Sequence, residues 1–135
     1  MSLNADLSSN VSSVLALAPA DTTATATQTA GADTSNWKSA KVVINLAGVT
    51  GSGGTWTLSL TSSDTLAGSY TAETAATTFV GGAPAGLVDA DAGVNEFDID
   101  LDGLESRFIK VVLTKSGTIS ASLLSATIEA ELASV

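Results

Sequence analysis

The feature that most limits how this chain can fold is an alternation of apolar and polar residues with a period of two. A β-strand sends successive side chains to opposite faces of its sheet, so this spacing marks strands with one face in a core and one in water. Trp56, Leu58 and Leu60 alternate with Thr55, Thr57, Ser59 and Thr61. Phe97, Ile99 and Leu101 alternate with Glu96, Asp98, Asp100 and Asp102. Leu124, Ala126, Ile128, Ala130 and Leu132 alternate with Ser125, Thr127, Glu129 and Glu131. Two further runs, Lys41 to Leu46 and Phe108 to Leu113, are nearly continuously apolar, as expected for central strands covered on both faces. Thr22 to Gln28 alternates Thr with Ala, a weak strand suited to an edge, and Tyr70 to Glu73 and Thr77 to Val80 add two short candidates. Between Leu123 and Leu124 the apolar parity switches, which predicts a bulge.

Glycine-rich breakers separate these runs. Gly48 to Gly54 reads as a flexible hairpin loop, Gly81 to Gly86 as a second breaker and Lys115 to Thr118 as a tight one. Strands with such punctuation and no helical period predict an antiparallel β-sandwich or barrel of about eight strands. Its expected core includes Trp56, Leu58, Leu60, Phe97, Ile99, Leu101, Val111 and Ile128. The division is an extended N-terminal arm, residues 1–19, and one β-domain, residues 20–135.

Composition sets the economy of this core. Alanine supplies 22 residues, whereas Val, Ile, Leu and Phe together make 34 of 135. The core is therefore thin, and association with other chains is the expected source of further buried area. The arm carries apolar residues that no hairpin partner claims, Val11, Val14, Leu15 and Leu17, which are candidates for an interface.

Charge excludes several classes of function. The net charge is −9, from 14 acidic and 5 basic residues. Nucleic-acid binding requires a basic stripe, and Lys38, Lys41, Arg107, Lys110 and Lys115 are scattered. The same balance argues against an anionic membrane surface, and no apolar run approaches the length of a membrane span. Val14 to Ala20 superficially resembles the end of a signal peptide, but no basic residue precedes it and its apolar part is short. Asn10-Val11-Ser12 fits a glycosylation acceptor only by chance if there is no secretory route. Because basic residues are scarce, Lys38, Lys41 and Arg107 are the charged groups most informative at an interface.

Catalytic chemistry finds little to work with. The chain has no histidine and no cysteine, which excludes imidazole and thiolate catalysis and the usual zinc sites. Ser35-Asn36-Trp37-Lys38, Ser63-Asp64-Thr65 and Lys115-Ser116-Gly117 imitate, in order, the motifs of serine β-lactamases. That chemistry needs Ser35 at the start of a helix, and no helical period follows it. Asp98-Ile99-Asp100-Leu101-Asp102-Gly103 imitates half of a calcium loop, but its twelfth position, where a bidentate Glu belongs, is Ile109. Asp98, Asp100 and Asp102, with Asp89 and Asp91 nearby, are at most weak cation candidates and read better as a solvated acidic face. No metal and no cofactor is expected. The glycine-rich loop lacks the Gly-Lys-Ser/Thr ending of a phosphate loop.

Taken in order, the strand and turn pattern resembles a family of small tailed-bacteriophage virion proteins that includes capsid decoration, or cement, proteins. The residues that carry the resemblance begin with an apolar arm ending near Pro19, followed by the Thr-rich Thr22 to Gln28. Next come Ala32 to Ala40 leading into Val42-Val43-Ile44, and then Gly54-Thr55-Trp56-Thr57-Leu58-Ser59-Leu60 ending in Ser62-Ser63-Asp64. Last is Glu105-Ser106-Arg107-Phe108-Ile109-Lys110-Val111-Val112. The chain departs from that pattern in having Trp37 and Phe108 where Tyr is common, and a longer loop at Gly51 to Gly54. The resemblance implies a jelly-roll-like sandwich, a homotrimer, located in the virion on the outer surface of the capsid. Its partners would be the major capsid protein and copies of itself. Two other readings are a tail or head–tail accessory part, and a carbohydrate- or host-binding β-module using Trp37 or Tyr70.

Overall fold

A computed structural model describes residues 10–133. These residues form mainly antiparallel β-structure, with nine strands in two sheets. The strands are β1 (Val11–Asp21), β2 (Ala26–Thr27), β3 (Ala32–Asp33), β4 (Trp37–Leu46) and β5 (Thr55–Ser63). They continue with β6 (Thr71–Ala72), β7 (Gly93–Ile99), β8 (Phe108–Ser116) and β9 (Leu123–Leu132). One helical turn, α1 (Ala75–Thr78), and two 3₁₀ turns, Asp89–Asp91 and Leu101–Gly103, complete the described chain.

The pairing is nested. β1 pairs with β9, β2 and β3 both pair with β8, β4 pairs with β7, and β5 pairs with β6. Two further ladders, β4 with β9 and β5 with β8, join the nest into sheets of order β1-β9-β4-β7 and β2-β8-β5-β6. Consecutive long strands therefore often lie in different sheets. Gly48 to Gly54, expected as a hairpin loop, carries the chain from β4 in one sheet to β5 in the other. Lys115 to Thr118 lies on the similar passage from β8 to β9.

Both sheets contribute their inward faces to one core. Val42, Ile44 and Leu46 of β4 and Leu124, Ala126 and Ile128 of β9 cluster with Trp56, Leu58 and Leu60 of β5 and Ile109, Val111 and Leu113 of β8. Period two accounts for this directly, since the intervening residues of these strands face outward. Six of the eight expected core residues are buried: Trp56, Leu58, Leu60, Ile99, Val111 and Ile128. Phe97 and Leu101 are only half-buried at the margin, because β7 is the outermost strand of its sheet and Leu101 lies beyond its end, in a 3₁₀ turn. The runs Lys41 to Leu46 and Phe108 to Leu113 are covered on one face only; Val43 and Val112 remain half-exposed on the other.

Several local expectations differ from the structure. Residues 11–19 of the expected arm belong to β1, an integral strand of the four-stranded sheet, while residues 1–9 lie outside the described chain. The reason is that Val14 and Leu17 share the core-facing side with Ile128 and Ala126, their partners on β9. The register shifts expected near Leu123 lie instead across the ladder, on β1, between Leu15 and Leu17 and between Leu17 and Ala20. Of Thr22 to Gln28, only Ala26–Thr27 forms a strand. Thr77 and Thr78 belong to α1, and the next residue, Phe79, bridges Ile99.

Candidate interaction surface

The outward face of the four-stranded sheet collects the charged residues that period two places opposite the core. Register brings them into rows. Lys41 on β4 stands between Asp98 on β7 and Glu129 on β9, and Ser39 stands opposite Glu131. On the far side of β9, Val11 and Ser13 of β1 lie opposite Glu131 and Glu129.

The polar groups on this face bind one another. Lys41 Nζ donates to Glu96 Oε1 at 2.7 Å, and Lys38 Nζ lies 3.5 Å from Glu131 Oε1. Ser39 and Ser13 hydroxyls donate to Glu131 at 3.2 Å and to Glu129 at 2.8 Å. The Glu96 carboxylate, by hydrogen bond and by charge, raises the Lys41 ammonium above its ordinary value, with Asp98 and Glu129 adding to the effect. An open groove of about 460 Å³ runs across this face, lined by Val11, Ser39, Lys41, Val80, Asp98 and Glu129 among others. Further along the same outward face, Leu15 on β1 and Val94 on β7 are exposed. A second shallow groove of about 410 Å³, lined by Asp21, Thr50 and Leu123 among others, lies near one end of the same sheet.

Four β1 residues and two lysines singled out from sequence thus share one sheet. Val11 and Leu15 are exposed, Val14 and Leu17 pack against the core margin, and Lys38 and Lys41 stand on the outer face. Arg107 does not join them. It precedes β8 in the other sheet, where its guanidinium grips Asp33 through two hydrogen bonds, 2.8 and 2.7 Å, and covers the Phe108 ring at 5.0 Å. That bidentate bond, with the Ser35 backbone NH as a second donor, holds the Asp33 carboxyl well below the usual carboxylate range. No local motif marks Glu96, Glu129, Glu131 and Val80 in the sequence, because their convergence depends on register.

The motif imitations are dispersed by the fold. Lys115 lies opposite Trp56 and Ser63 opposite Phe108, so the two sit near opposite ends of the β5–β8 ladder, about 23 Å apart at the rise of a strand. Lys38 is on the other sheet beside Glu131. Asp98 faces Lys41, while Asp100 Oδ1 accepts the Asp102 backbone NH at 3.2 Å and caps the 3₁₀ turn. Asp89 and Asp91 likewise accept backbone NH groups, from Val49 and Val88. Among the described residues no three acidic groups converge as metal ligands. Trp56 is a core residue, and Trp37 is half-buried at the margin.

No known family profile matches the chain, and no curated protein matches it significantly.

Proposed function

We propose that this protein is a non-enzymatic structural protein that docks on an assembled protein shell, as a bacteriophage capsid decoration protein does, and that its two sheets pack as a jelly-roll-like sandwich. The nested pairing supports the fold reading, because an antiparallel ribbon rolled up on itself pairs first strand with last and second with next to last, as here. The observation that carries the functional reading is the broad outer face of the β1-β9-β4-β7 sheet. Mixed charges there stand beside exposed Val11, Leu15 and Val94. An open face of this kind suits contact with another protein surface better than enclosure of a small molecule. The resemblance to decoration proteins supplies the partner, a major capsid protein, and the place, the outside of the virion. A net charge of −9 agrees with an outward position, away from packaged DNA.

Stabilisation would follow from mass action alone. A protein that binds the assembled lattice and not its dissociated subunits stabilises that lattice by RT ln(1 + [L]/Kd) at each site. The test compares thermal or osmotic rupture of particles with and without the protein and counts its copies per head. A raised rupture threshold with many copies, lost in Lys41→Glu, is the expected result. Equal thresholds, or a few copies on the tail, would overturn the decoration reading in favour of a tail or head–tail part.

A further inference from the structure

The outward residues of β5 are Thr55, Thr57, Ser59, Thr61 and Ser63, since Trp56, Leu58 and Leu60 between them face the core. Solvent would reach all five on an open face, yet Ser63 is 6% exposed and the Thr61 hydroxyl is buried. Residues 64–70, the chain between β5 and β6, fold back over this end of the sheet. Gly68 lies so close to Ser63 Oγ that a Cβ there would strike it, and the Thr65 NH donates to the same oxygen at 3.3 Å. Tyr70 carries the cover across the neighbouring strand. Lys110 of β8 stands opposite Thr61, and its Nζ lies 4.2 Å from the centre of the Tyr70 ring. Beyond β8, the Tyr70 hydroxyl reaches Gly31, on the passage from β2 to β3, where a Cβ would collide with it.

We propose that residues 64–70 are a strap, tethered at β5 and β6, that opens without unfolding the sheets and so uncovers Thr61, Ser63 and the Lys110 ammonium. Its hold on the sheet is weak. The strap's hydrogen bonds stay within residues 63–70: besides Thr65 to Ser63, the Gly68 NH donates to the Thr65 carbonyl at 3.1 Å and the Tyr70 hydroxyl to the Leu66 carbonyl at 2.8 Å. None reaches β8 or Gly31, so closure rests on the cation–ring contact and on packing. Leu66, its one large aliphatic side chain, is 55% exposed and adds little burial. Closure also carries a cost. The buried Thr61 hydroxyl has no hydrogen-bond partner among the described residues, and opening lets water reach it. Small opposing terms of this kind keep a local open state populated beneath a stable fold. The strap also controls a cation. Lys38, Lys41 and Arg107 each face a carboxylate, whereas the Lys110 ammonium faces only the ring that the strap supplies. Opening therefore turns a covered corner into a patch of one free ammonium and two hydroxyls. This device lies on the sheet opposite the proposed docking face and does not depend on what docks there.

The test on the full chain is acetylation of Lys110 by an N-hydroxysuccinimide ester, read by peptide mass spectrometry against exposed Lys115, with hydrogen exchange at the Thr65 and Gly68 amides. In the wild type Lys110 is expected to react more slowly than Lys115, and the strap amides to exchange about a hundredfold or more faster than those of the β5–β8 ladder. Thr61→Val should slow both strap readouts by about tenfold, because water then gains no hydroxyl on opening. Gly31→Ala should speed both, since the added methyl displaces Tyr70, while circular dichroism and exchange in the ladder stay unchanged. If Gly31→Ala does not fold, Thr61→Val decides alone. Lys110 reacting as fast as Lys115 in the wild type would overturn the proposal, as would strap amides that exchange only at the rate of the ladder. A folded Gly31→Ala with unchanged strap rates would also count against it. Unchanged or faster strap rates in Thr61→Val would overturn it too, and would assign an ordered water to that hydroxyl under a fixed cover.

Discussion

The Gln28 side chain and the Val111 backbone are joined as two strands would be: Gln28 Oε1 accepts the Val111 NH at 2.9 Å, and the Gln28 NH donates to the Val111 carbonyl at 2.9 Å. Gln28 lies just beyond β2, and β3 begins four residues later, so the chain leaves the β8 ladder there. The amide side chain stands in for the missing backbone carbonyl, and its Nε2 donates to the Ala30 carbonyl at 2.7 Å to hold the detour. Gln28 is 3% exposed, which makes these bonds hard for water to replace.

Gln28→Ala should therefore destabilise the fold by about 1–3 kcal/mol, the cost of stranding the buried Val111 NH. Gln28→Glu should cost more than Gln28→Ala, since the carboxylate loses the donor to Ala30 and brings a charge into a buried site. Urea unfolding of the three proteins checks the order. Equal stabilities would mean that water enters at Val111.

Trp56 should be the most costly single truncation in the core. Its ring is fully buried, and Nε1 donates to Ser122 Oγ at 3.0 Å, which in turn donates to the Gly48 carbonyl at 2.8 Å. Trp56→Ala is expected to lose about 3–5 kcal/mol. Ser122→Ala, which leaves the indole NH without its partner, is expected to lose about 1–3 kcal/mol. Chemical denaturation measures both, and a Trp56→Ala loss smaller than that of Ser122→Ala would contradict the packing described.

The Asp33–Arg107 pair predicts a particular acid response. Asp33 is depressed in the fold chiefly by Arg107, so its contribution is complete above the unfolded carboxyl value and is lost as pH falls toward the folded one. The stability difference between the wild type and Asp33→Asn should be constant near neutrality and close below about pH 4. The gap should be modest and should shrink in salt, because the Asp33 side chain is 42% exposed. Melting temperatures across this range test it, and a gap that widened as pH fell would reverse the sign.

Thr78 predicts a gain. Its side chain is fully buried, and its hydroxyl has no hydrogen-bond partner among the described residues. Thr78→Val keeps the shape and removes the unsatisfied group, and should raise stability by about 1 kcal/mol. A loss in calorimetric melting would show that the hydroxyl is served by an ordered water.

Period two is a local property, and it was sufficient to mark the chain as β-structure and to orient most of its side chains. Leu58 and Leu60, Val111, and Ile128 all face inward as their alternation requires. What alternation does not contain is which strand lies beside which, because that depends on contacts between residues far apart in the chain. Hence Gly48 to Gly54, which has the composition of a hairpin loop, crosses between sheets, since β4 pairs with β7 and β9 while β5 pairs with β6 and β8. The segment around Val14 has no partner nearby in sequence and reads as an arm, yet β9, more than a hundred residues later, takes it into the sheet. The grouping of Lys41 with Asp98 and Glu129 has the same origin: alternation turned each outward, and only the register of three strands set them side by side.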